Sequence, residues 1–233
     1  MSHVKKQSGF TLIELLLAMS FISMLLLVIA MTMIQIASIY NHGIILKDIN
    51  QVSRDIGDEL DLALRASGSF SLEPGAQKYV ERPTGGRLCL GQYSYIWNYG
   101  KAINEDNAEL NRYTNDEVMR LAKVPDSGAN YCVLDTATGN YADVNPVEAV
   151  ELLDAGDHSL AIHQLIVQTS EEATDAPSGQ QLYRVIYTIG TNDTDALDPT
   201  QTSCKAPNVV GADPDYCAVQ QFTLVLRVSN GVN

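Results

Sequence analysis

Phe10 and Glu14 are the pair whose types and spacing point most directly to chemistry. Glu14 stands alone at the head of an apolar run, because residues 15–42 contain no Asp, Glu, Lys or Arg. A carboxylate within hydrocarbon costs on the order of 2.5 kcal/mol or more at mid-span and normally answers to a partner. Scission between Gly9 and Phe10 would supply one, since the freed α-amino group of Phe10 is a cation one helical turn away. In copies staggered along an axis, the carboxylate of one would reach the amine of the next. Lys5 and Lys6 precede the junction without any acid. The positive-inside rule keeps them on the cytoplasmic side and places everything after the apolar run outside. In an ordinary secretory signal the small residue at the cut follows the apolar region. Here it comes first, so the apolar run survives processing.

The other reactive side chains suggest structure more than catalysis. Cys89, Cys132, Cys204 and Cys217 all follow the apolar run. An even count with no Cys-x-x-Cys pair and no nearby His suits two disulfides in an oxidising compartment better than zinc. His3 lies before the junction, His42 at the end of the apolar run, and His158 and His163 around an expected strand, where a structural role is expected of them. Residues 192–198 carry Asp193, Asp195 and Asp198, oxygen donors of the kind calcium takes, but without the twelve-residue loop and its closing Glu. A solvated acidic turn is the expectation, and no metal or cofactor is expected. Gly-x-Ser-x-Gly, His-Glu-x-x-His and phosphate-loop patterns are absent. A membrane-anchored extracytoplasmic enzyme, the rival from another class, therefore has no motif to support it. The net charge is −13, and loss of residues 1–9 with their two lysines moves it to about −15. That field repels a phosphate backbone, so nucleic acid is not an expected partner.

The stretch Lys5-Lys6-Gln7-Ser8-Gly9-Phe10-Thr11-Leu12-Ile13-Glu14 resembles the class III signal of type IV pilins and type II secretion pseudopilins. The resemblance implies that a prepilin peptidase cuts after Gly9 and N-methylates Phe10, and that Glu14 guides docking into a growing filament. Its implied partners are other pilins and minor pilins through their N-terminal helices, the peptidase, and an inner-membrane assembly platform. The implied location is a single pass of the cytoplasmic membrane with the head outside, followed by a pilus or a periplasmic pseudopilus. Many family members carry a kinking proline 21 residues after the processed Phe. Met31 stands there in this chain. The chain is longer than typical major pilins, and is most similar to PilW-like or J-type minor pilins that prime or cap assembly. A J-type pseudopilin of type II secretion is the alternative. The family's disulfide-bounded loop near the C-terminus resembles the stretch between Cys204 and Cys217. Cys89 and Cys132 then pair by elimination, although four cysteines allow three connectivities.

These groups need elements to hold them. Residues 10–40 rise about 1.5 Å each, roughly 46 Å in all, which exceeds an approximately 30 Å hydrocarbon core. Beyond Tyr40 the pattern turns amphipathic, with Ile45, Ile49, Val52, Ile56, Leu60 and Ala63 forming one helical stripe. Packing against the chain's own sheet is the expected use of that stripe, and Ser67-Gly68-Ser69 is the expected stop. Residues 68–86 read as loop. Residues 88–99, 160–169, 181–189 and 220–229 read as strands. Tyr93, Tyr95, Trp97 and Tyr99 alternate along the first of them and are expected to pack in the core. Residues 100–159 read as an insertion, with a short helix around residues 116–122. The expected fold is α+β, a long N-terminal helix on an antiparallel sheet. It comprises a leader (1–9), a transmembrane and filament-core helix (10–42), an amphipathic helix (43–68) and a globular head (69–233).

Overall fold

The computed structural model describes residues 10–73, 77–103, 119–144, 148–154, 159–169 and 181–228. One helix, α1 (Leu12–Ser67), is followed by eight strands: β1 (Tyr79–Arg82), β2 (Gly85–Cys89), β3 (Tyr93–Asn98), β4 (Leu121–Pro125), β5 (Val150–Glu151), β6 (Leu160–Thr169), β7 (Gln181–Thr191) and β8 (Val219–Val228). A 3-10 turn spans Asn130–Cys132. The chain divides between Asn41 and His42 into two compact units.

In the first unit the apolar side chains of α1 lie open to the surroundings. Leu16, Phe21, Leu25, Ile29 and Ile34 are among the many exposed large hydrophobics. Three of its hydroxyls bond back to their own helix: Ser20 Oγ donates to Leu17 O, Ser23 Oγ to Met19 O and Thr32 Oγ1 to Ile29 O. Such back-bonding gives these three hydroxyl hydrogens a partner without water, as a membrane span would require. The helix runs on through Met31 without a break. It is long and apolar enough to cross a membrane.

In the second unit the expected stripe is buried. Ile45, Ile49, Val52, Ile56 and Leu60 are joined by Leu64 in the main core, and Ala63 packs at its margin. The helix stops where Gly68 takes φ 71°, a left-handed C-terminal cap that glycine adopts without a Cβ clash. The fold is α+β, with antiparallel sheets as expected. There are two sheets, where one was expected: β1-β2-β3-β4-β5 and β6-β7-β8. Both feed the core under residues 45–64. Leu88, Tyr95, Trp97 and Leu121 come from the first, and Leu165, Tyr183, Val185 and Leu226 from the second.

Three local expectations need correction. Residues 88–99 are the adjoining parts of two strands, turned at Gly91, whose φ is 94°. Part of the supposed loop at 68–86 is strand: β1 pairs with β2, and Gly85 and Gly86 begin β2. A Cβ on Gly86 would lie 2.3 Å from Trp97 Cζ2, so this glycine makes room for an indole rather than a turn. Of the helix expected around residues 116–122, 116–118 lie outside the described residues, and Leu121 and Ala122 belong to β4. There the β3 ladder overrides local propensity. The other three strand readings hold to within two residues at each end.

Tyrosine hydroxyls bind the two sheets together along the open edge of β6. Tyr99 Oη donates to Leu165 O at 3.1 Å, and the Val167 amide donates to Tyr79 Oη at 3.3 Å. A sheet edge exposes unpaired backbone groups that must find partners. Burial raises both phenols above their ordinary range, so they keep their O–H hydrogens. Of the alternating aromatics, Tyr95 and Trp97 are fully buried and Tyr93 is partly exposed.

Candidate processing and assembly site

Gly9, Lys5 and Lys6 lie outside the described residues. Phe10 and Glu14 are both described, and both are exposed. Phe10 precedes the first turn of α1. Glu14 Oε2 accepts the Thr11 amide at 2.8 Å and the Thr11 hydroxyl at 2.7 Å, while the Glu14 amide reaches Thr11 Oγ1 at 3.4 Å. This is a reciprocal capping box, in which Thr at the N-cap and Glu three residues on satisfy donors that the helix start leaves open. The Thr-x-x-Glu spacing carries this role and the sequence reading did not use it. The sequence suggests instead that Glu14 pairs with a Phe10 amine, one turn away in the same helix or on a neighbouring copy. The two uses are compatible. A carboxylate held at a helix N-terminus presents fixed negative charge beside the residue whose amine cleavage would free.

The head places the cysteines in two bridges, Cys89–Cys132 and Cys204–Cys217, with Cα–Cα distances of 6.1 and 5.9 Å. The first joins the end of β2 to the 3-10 turn, and the second closes the segment leading into β8. No family model matches the chain, and neither a curated protein nor a solved structure matches it.

The remaining candidates for chemistry serve as structure. Asp193 Oδ1 accepts the Asp195 amide, and Asp198 Oδ1 accepts the amides of Thr202 and Ser203. The Thr200 hydroxyl adds a bond to Asp198 Oδ2, which with those amides holds this carboxyl below its usual range. No group of three His, Cys, Asp or Glu side chains is placed to hold a metal among the described residues. His163 is buried at a bulge in β6, with Nε2 3.1 Å from Thr191 O and Nδ1 3.3 Å from Gln201 Oε1. Burial lowers its pKa. His158 lies outside the described residues.

One polar group in the core ties helix to sheet. Glu59 Oε1 accepts Tyr95 Oη–H at 2.6 Å and meets Lys123 Nζ at 2.6 Å. Burial alone would raise this carboxyl. The bonds from Lys123 and Tyr95 and the lysine charge outweigh it and hold Glu59 below its usual 4.5.

Proposed function

We propose that the chain is a minor type IV pilin, cut after Gly9, methylated on Phe10 and inserted through its N-terminal helix into a pilus whose assembly it helps to start or cap. The observation that carries this reading is the order of parts at the N-terminus: basic residues, Gly9-Phe10, a Glu14 that caps the helix, and an apolar helix whose large side chains are exposed among the described residues. A single exposed apolar helix needs either lipid or like helices around it. Transfer from a membrane to a filament core exchanges one for the other at little hydrophobic cost. The acidic head with two disulfides suits an oxidising exterior.

Intact mass of the protein recovered from cells tests the processing step, with loss of residues 1–9 and gain of one methyl group expected. Recovery of Met1 in the assembled protein would overturn it. Deletion tests the destination, and loss of surface piliation is expected. Normal piliation with lost protein secretion would transfer the reading to a type II secretion pseudopilin.

A further inference from the structure

A cavity of about 600 Å³ opens in the head between the β1–β2 turn and the loop that follows the first disulfide. Its wall includes Arg82, Thr84, Thr138, Asn140, Tyr141 and Asp143. The volume falls within the roughly 300–1,000 Å³ of small-molecule sites. Donors and acceptors line it together with one aromatic ring, a composition that suits a polyhydroxylated ring with one apolar face.

Directly behind this wall is a buried cation. Arg87, in β2, is 0% exposed. Its Nη1 donates to Tyr131 O and to Ala142 O, both at 2.8 Å, and its guanidinium carbon lies 5.1 Å from the Tyr141 ring centroid. Ala142 and Tyr141 both line the cavity. Burial presses the Arg87 pKa down to about 10, so it stays charged at neutral pH. A charge held out of water is screened far less than a surface one. Arg82, exposed at the end of β1, adds a second cation and Asp143 one anion. A second anion, Asp135, accepts the Thr138 hydroxyl at 2.8 Å, so the two cations are matched in number and the exposed positive group on the wall is Arg82.

We propose that the cavity binds a sugar bearing a carboxylate. Arg82 takes the carboxylate as a fork of N–H donors. Asn140 and Asp143 take the hydroxyls, with Thr138, whose own hydroxyl hydrogen goes to Asp135 Oδ2, as a further acceptor. Tyr141 offers the ring face, and Arg87 supports the wall from behind. The loop that carries four of these residues begins just beyond Cys132, so the Cys89 bridge fixes one end of the site to the sheet.

The test is calorimetric titration of the full chain in a polyoxyethylene detergent, which contains no sugar. The probes are the methyl glycosides of galacturonate, glucuronate and N-acetylneuraminate, with methyl galactoside and acetate as controls. At least one acidic sugar is expected to bind saturably, about tenfold or more tighter than either control. Arg82→Ala is expected to weaken that binding by about tenfold or more, with Arg82→Lys recovering part of it. Arg82 is exposed, so an unchanged melting curve will show that the variant folds. Absence of saturable binding to all three acids, equal binding of methyl galactoside or acetate, or unchanged binding in folded Arg82→Ala would each overturn the proposal.

Discussion

At the scale of single residues, Glu14 and Glu59 show how one carboxylate serves two ends. Glu14 closes a capping box with Thr11, which satisfies donors that the helix start leaves open. A capping role and a charge-pairing role are separable by substitution. Glu14→Gln keeps an acceptor for the Thr11 amide and removes the charge, whereas Thr11→Ala removes the hydroxyl and keeps the charge. If the charge pairs with a neighbouring amine, Glu14→Gln should lower incorporation into filaments about tenfold, and Thr11→Ala by less than about threefold. The ratio of assembled to membrane-bound protein on immunoblots measures both, and equal losses would reduce Glu14 to a cap. Glu59 makes a pH prediction. Its folded pKa lies below 4.5, so the folded state holds its proton less tightly than the unfolded chain. The contribution is therefore present above about pH 4.5 and lost as pH falls through the folded value. Glu59→Gln should lower stability by about 1 kcal/mol at pH 7, with the deficit vanishing in stronger acid. Thermal melts of the two proteins across that range show whether the gap closes.

At the scale of elements, composition and spacing specified the helix and the strands β6, β7 and β8, while close packing decided what the glycines mean. The stripe from Ile45 to Leu60 and the alternation in β7 and β8 were legible because burial repeats with the period of the element. Thr84-Gly85-Gly86 misled because a glycine pair reads as a turn from sequence, and the indole that occupies its missing side chain comes from the neighbouring strand. Gly86→Ala should cost about 1–3 kcal/mol, as overpacking of a closed core does. Urea unfolding followed through Trp97, the chain's single tryptophan, measures it, and an unchanged midpoint would show that the core yields. The strand at β4 was missed for a related reason. Its ladder partner β3 lies more than twenty residues away, and residues 116–122 taken alone favour a helix.

At the scale of the whole molecule, the two bridges constrain loops of different length. Cys89–Cys132 has a sequence separation of 43 and Cys204–Cys217 one of 13. Loop-closure entropy gives about 4 kcal/mol for the longer and about 3 kcal/mol for the shorter. Replacing each pair by serines should therefore destabilise the detergent-solubilised chain more for Cys89 and Cys132, as denaturant midpoints would show. The reverse order would mean that the longer segment is already constrained when unfolded. The sequence by itself determined the apolar helix, the stripe that packs on the head and the α+β class. Each of these is a local pattern, set by composition or by the period of one element. Only the tertiary structure decided that the head has two sheets, that tyrosine hydroxyls join them at the edge of β6, and that Arg87 is buried behind a cavity. Those features rest on contacts between residues up to 88 positions apart, and no local pattern records which distant partner a side chain will meet.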